Sequence, residues 1–176
     1  MRNSKMKGFT LIELIVVIAI IGVLAAILVP SMIGYVGDSK LSTANANAKL
    51  VYTNTATYST KCEVAGFPMA KGSEVSKVDL NTSGKDVSSA VKAPEESACV
   101  KLDCALQILM GSKSKSAGIA TAILTDAGTP EKTAWGKTVD DSYIGGYPTE
   151  ATAKKNSTDG TWIDIANAEV HAPSNS

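Results

Sequence analysis

The sequence has little of what catalysis or nucleic-acid binding requires. Among 176 residues there is one histidine, His171, close to the end of the chain. There is no glycine-rich phosphate loop and no nucleophile motif. Lys plus Arg and Asp plus Glu each number 17, so the formal net charge is +0, and no basic excess points to nucleic acid. Aromatics make up 5%, too few for a large aromatic core. Cysteines number three, Cys62, Cys99 and Cys104, and with the distant histidine they do not make a metal-ligand set. These shortages exclude an enzymatic reading, call for no cofactor, and leave a structural or binding role.

What the chain does have is a long apolar run. From Leu14 to Gly37 there are 24 residues without a charge. A helix of roughly 20 apolar residues crosses the ~30 Å hydrocarbon core of a bilayer. Arg2, Lys5 and Lys7 precede the run and Asp38 follows it. This bias holds the N-terminus in the cytoplasm and sends the rest outside. A secretory signal peptide would have a shorter apolar region and a small-residue cleavage site after it. A plain anchor has no use for Glu13 inside the run, since a charge in a membrane helix costs about 2.5–3.5 kcal/mol and marks a function.

The residues Lys7-Gly8-Phe9-Thr10-Leu11-Ile12-Glu13 resemble the cleavage and methylation motif of type IV prepilins: a short basic leader ending in glycine, then Phe-Thr-Leu-Ile-Glu. The resemblance covers residues 1 to about 60 and, in detail, is to Gram-positive, clostridia-like type IV pilins. It implies that a prepilin peptidase cuts between Gly8 and Phe9 and methylates the new amino group of Phe9. It also implies that Glu13 directs subunit assembly and that Gly22 and Pro30 loosen or kink the helix. Cleavage creates a positive amine near a carboxylate in apolar surroundings, where each charge alone is costly. The amine of an incoming subunit can neutralise Glu13 of a neighbour. That pairing favours one axial stagger over the others, as single buried polar groups fix register in coiled coils.

The helical pattern continues past Pro30. Leu41, Ala44, Ala48, Val51, Thr55, Tyr58 and Cys62 recur at spacings of three and four, one face of an amphipathic helix. Lys40, Asn45, Asn47, Lys49, Asn54 and Lys61 fall on the outer face in this reading. The stripe is small in volume, so whatever packs on it comes close. A helix from Phe9 to about Tyr58 would be roughly 75 Å long. Pro30, with Gly34 and Gly37 nearby, is expected to kink it. Gly66 and Pro68 supply stop signals.

Beyond the helix, residues 71–93 read as a surface connection with a helical turn at 74–80. Pro94-Glu95-Glu96 begins a short helix over 95–110, with Ala98, Cys99, Leu102, Ala105, Leu106 and Leu109 on one face and Gly111 as its stop. Ile119–Thr125 reads as a strand, 126–130 as a turn, and Lys132–Val139 as the returning strand of a hairpin. Asp140–Pro148 reads as loop, Asn156–Gly160 as a turn and Thr161–Ile165 as a strand, with a frayed tail from Asn167.

The expected fold class is therefore α+β, with a long N-terminal helix packed on a small antiparallel sheet, as the pilin resemblance also implies. The expected organisation is a leader at 1–8, the membrane or fibre-core half of the helix at 9–37, and a globular head at 38–176. An exported chain permits a disulfide. Cys99 and Cys104 lie about 140° apart on a helix and are poor partners, so Cys62 with Cys99 is the favoured pair.

Several features admit a second reading. Asp140-Asp141 and Asn156–Gly160 offer oxygen ligands for Ca²⁺, but Asx and Gly are also ordinary turn chemistry. Trp135, Tyr143, Tyr147 and Trp162 are candidates for an exposed carbohydrate-binding strip, with core packing of the two tryptophans the favoured alternative. Asn81-Thr82-Ser83 and Asn156-Ser157-Thr158 match the glycosylation triplet and read as surface loops. His171 reads as surface.

The sequence thus leads to a structural subunit of a type IV pilus. It starts in the cytoplasmic membrane, is matured by prepilin peptidase, and is polymerised by an assembly machinery into an extracellular homo-oligomeric filament. A pseudopilin of a secretion or competence machine, a pilin-like adhesin for polysaccharide or a host surface, and an anchored protein that never polymerises are the alternatives.

Overall fold

A computed structural model describes residues 9–66, 68–69, 74–80, 102, 105–107, 110 and 117–173. The chain divides into two compact units, the first ending at Asp38 and the second beginning at Ser39. Helix α1, Leu11–Val64, belongs to both. It runs through Pro30, whose missing N–H leaves the carbonyl of Ala26 without its usual donor. Ala65 and Gly66 turn the chain out of the helix, and Gly66 has φ +84°, the left-handed region that glycine reaches without strain.

Within the first unit, Phe9 and every described residue from there to Val36 are exposed, so this apolar face has no partner in the subunit itself. Among the described residues, α1 is the helix long and apolar enough to cross a membrane.

The second unit is α+β. Strands β1 (Glu74–Asp79), β2 (Ile119–Leu124), β3 (Pro130–Gly136) and β4 (Gly145–Tyr147) form an antiparallel sheet in the order β1-β2-β3-β4. Strands β5 (Trp162–Ile163) and β6 (Val170–His171) pair separately. All seven residues of the predicted stripe, Leu41 to Cys62, are buried. Ala44, Ala48, Val51, Tyr58 and Cys62 meet one face of the sheet, where Ala120, Ala122, Leu124 and Trp135 complete the core with Val78, Leu80 and Met69; Leu41 packs instead in the cluster of Ile144 and Ile163. Leu102, Ala105, Leu106 and Met110 join the same core. These four residues and Gln107 are helical, in keeping with the short helix expected there; Ala98, Cys99, Leu109 and Gly111 lie outside the described residues.

The opposite face of the sheet is also covered. Ala134, with Ile119 and Ile123 partly buried beside it, packs on Ile144, Ala151, Ile163, Ile165 and Ala168. Thr121 sits on this face and its hydroxyl donates to the carbonyl of Ile165. Burial on both faces explains why β2 carries no charged residue instead of alternating apolar with charged ones.

The structure corrects several expectations. Residues 74–79 form a strand, not a helical turn. Val75 pairs with Ala122 and Val78 with Ala120, so three steps on β1 match two on β2. The bulge makes the valine spacing imitate a helix. The stretch 140–148 contains β4, which ends at a cis Tyr147-Pro148 bond. The returning strand of the hairpin spans Pro130–Gly136, not Lys132–Val139. The expected strand at 161–165 shortens to Trp162–Ile163, and the tail carries β6 instead of fraying. Asn45 and Asn47, placed on the outer helix face, are both buried. The triplet at Asn81 lies outside the described residues.

Candidate assembly segment

The segment around Glu13 is built by local helix chemistry. Thr10 is the residue before the first helical turn, and Glu13 is the third residue within it. The Thr10 N–H donates to Glu13 Oε2 at 2.9 Å and the Thr10 hydroxyl donates to the same oxygen at 2.7 Å. In return the Glu13 N–H donates to Thr10 Oγ1 at 3.3 Å. This is a reciprocal capping box: two backbone donors of the helix start are satisfied and the carboxylate sits at the positive end of the helix dipole. The bonds engage Oε2; Oε1 has no partner among the described residues. Thr10 was not singled out from the sequence, although the Thr-x-x-Glu spacing at 10–13 signals it.

The other predicted residues of this segment lie along the same helix. Phe9 is 84% exposed and precedes the cap. A β-carbon on Gly22 would meet nothing within 4 Å, so no packing inside the subunit demands glycine there. Pro30 is internal to the helix, and beside it the Ser31 hydroxyl donates to the Leu28 carbonyl at 2.9 Å. Gly8 and Cys99 lie outside the described residues. Cys62 is fully buried in the head.

In the head, Asn45 does what the sequence reading missed. Its Oδ1 accepts from the N–H groups of Gly146 and Ala151, both at 3.1 Å, and its Nδ2 donates to the Ala151 carbonyl at 2.8 Å. Asn45 is four residues after Leu41 and three before Ala48, so the stripe's own spacing already included it. Thr133 adds a second helix–sheet link, its hydroxyl donating to the Ala48 carbonyl at 2.8 Å.

Asp141 and the 156–160 turn, among the candidate metal ligands, have other occupations. Asp141 accepts from the N–H groups of Lys137 (3.1 Å) and Tyr143 (3.0 Å). In the 156–160 turn the Ser157 hydroxyl accepts from the Asp159 N–H at 3.2 Å. Among the described residues no three His, Cys, Asp or Glu side chains cluster as a metal site. Trp135 is buried in the core, whereas Trp162 is half-exposed and stacks on His171 with centroids 3.9 Å apart.

Comparison with known proteins agrees with this geometry. The prokaryotic N-terminal methylation motif matches residues 3–29. The type IV major pilin protein PilA of Myxococcus xanthus is 53% identical over 51 residues, covering 29% of this chain and 23% of that protein. The fimbrial protein EcpC of Eikenella corrodens is 57% identical over 44 residues, covering 25% of this chain and 29% of that protein. The type IV major alpha-pilin of Moraxella bovis is 38% identical over 82 residues, covering 47% and 50%. The chain thus spans about a quarter of the length of the first relatives and half of the last. No solved structure matches it. A long apolar N-terminal helix carrying a methylation motif and continuing into an α+β head defines a pilin-like protein. Over that N-terminal segment the chain is similar to type IV pilins. The relatives are named as pilins and fimbrial proteins, not enzymes.

Proposed function

We propose that this chain is a structural subunit of a type IV pilus. The observation that carries the proposal is a methylation motif at the head of an apolar helix whose described residues from Phe9 to Val36 are all exposed in the single subunit. Such a surface is soluble only in lipid or against other copies of itself. Residues 1–8 are the leader, 9–37 the membrane and fibre-core half of the helix, and 38–176 the head. Prepilin peptidase cuts after Gly8 and methylates Phe9. The assembly machinery then moves the subunit from the cytoplasmic membrane into an extracellular homopolymer. Gly22 and Pro30 supply local give in the helix during that transfer. The Gram-positive, clostridia-like source and the major-pilin role belong to the same proposal.

Glu13 has the means to pair across subunits. Its Oε2 is held by Thr10 within its own helix, and Oε1 is open to the amine of a neighbour. In low dielectric that ion pair is far stronger than in water, and either charge left alone is expensive.

The test is the intact mass and N-terminal sequence of protein sheared from the cell surface. A filament subunit beginning at N-methylated Phe9 is expected, and Glu13→Ala is expected to abolish filaments while leaving the chain in the membrane. A chain found only in membranes and still beginning at Met1 or Arg2 would sink the proposal.

A further inference from the structure

The head contains a pocket that the assembly role does not use. It has a volume of about 310 Å³ and lies wholly within the second unit. Its walls come from the first turns of α1 after Asp38, the end of β3 and the loop that follows: Ser39, Lys40, Trp135, Lys137, Asp141 and Tyr143. A cavity of this size, with apolar walls and a few converging polar groups, is the usual form of a small-molecule site.

The polar groups are arranged for a particular chemistry. Lys40 and Lys137 contribute two ammonium groups, and neither is in an ion pair among the described residues. Lys40 is held instead 5.5 Å from the centroid of the Tyr143 ring. Asp141 cannot swing to neutralise them. Its two oxygens accept from the Lys137 and Tyr143 backbone N–H groups at 3.1 and 3.0 Å, which fixes the carboxylate and leaves lone pairs for further donors. Tyr143, half-buried, adds a flat apolar wall, and Trp135 reaches the pocket with the small part of its surface left outside the core.

We infer that this pocket binds an acidic sugar, one residue of a uronate type. Its carboxylate faces Lys40 and Lys137, its hydroxyls donate to the immobilised Asp141, and its apolar ring face lies on Tyr143. A simple anion would use the lysines but bring no hydroxyl donors to Asp141, and a neutral sugar would leave both ammonium groups unused. The preset carboxylate lowers the ordering cost of binding. The exposed aromatic strip expected from the sequence is replaced by this pocket: it keeps Trp135 and Tyr143, while Trp162 and Tyr147 lie elsewhere.

The full chain in detergent micelles tests the inference, with or without filament formation. Two tryptophans give two indole N–H resonances, which Trp162→Phe assigns. Glucuronate is expected to move the Trp135 signal saturably and leave Trp162 in place. Glucose and inorganic phosphate should bind at least about tenfold more weakly, and Lys40→Gln or Lys137→Gln should weaken glucuronate by about the same factor. Lys49→Gln, on the same helix but outside the pocket, should leave binding unchanged. An unmoved Trp135 signal, equal binding of phosphate or glucose, or equal loss in Lys49→Gln would overturn it.

Discussion

A β-carbon placed on Gly145 would stand 2.1 Å from the carbonyl carbon of Ala44 and 2.2 Å from the amide nitrogen of Asn45. Strand β4 therefore lies directly on the backbone of α1, and only glycine fits between them. Gly145→Ala should destabilise the head by about 3 kcal/mol or more, since the obstruction is backbone and no rotamer relieves it. Ala44→Gly should not rescue it, because the Ala44 side chain is not the obstacle. Thermal unfolding of the single and double variants decides this; near-native stability of Gly145→Ala would show that β4 can lift away.

Asn45 fastens the same strand and the segment after it to the helix, with one hydrogen bond to Gly146 and two to Ala151. Asn45→Leu leaves the N–H groups of Gly146 and Ala151 and the Ala151 carbonyl buried without partners. Each such group costs about 1–3 kcal/mol, so a loss of roughly 3 kcal/mol is expected in urea unfolding. Asn45→Asp keeps both acceptor contacts and should lose less.

Thr10 caps α1 against Glu13. Thr10→Val keeps the shape and removes the hydroxyl, at a cost of about 1 kcal/mol to the first turn. Amide exchange at Glu13 and Leu14 in micelles should speed up roughly fivefold while exchange from Leu41 onward stays unchanged. An unaltered first turn would mean that the cap contributes nothing to it.

Trp162 and His171 stack with an interplanar angle of 6° where β5 meets β6. His171→Ala should cost about 1 kcal/mol and expose Trp162, seen as a red shift of its emission. An unshifted emission would show that the strand pairing alone holds the tail.

The parts of this fold legible in the sequence are those with a period. The stripe from Leu41 to Cys62 is readable because small apolar residues recur against a background of Lys and Asn. The β2–β3 hairpin is readable because Asp126 to Pro130 carries turn residues between two runs of β-formers. What stayed hidden depends on distant partners. The bulge in β1 disguises a strand as a helical turn. Gly145-Gly146 reads as loop by propensity, yet forms a strand because α1 admits no side chain there. Asn45 reads as surface by polarity, yet is buried because its three partners are backbone groups more than a hundred residues away. At the N-terminus the motif was plain, and the capping role of Thr10 was overlooked within it.

The bonds of Asn45 span 101 and 106 residues of chain. Helix α1 is therefore complete in sequence long before the surface that covers it exists. During synthesis, Ala44, Ala48 and Val51 have no sheet to meet until β2 and β3 have emerged, and Asn45 lacks its partners until Gly146 and then Ala151 have. Closing contacts of that separation is slow. The apolar half of the helix is complete before any strand of the head, so on the proposed reading it is available to a membrane first and the head is completed last. A chain interrupted between Asp79 and Ile119 would be a helix with a bare stripe, open to wrong partners.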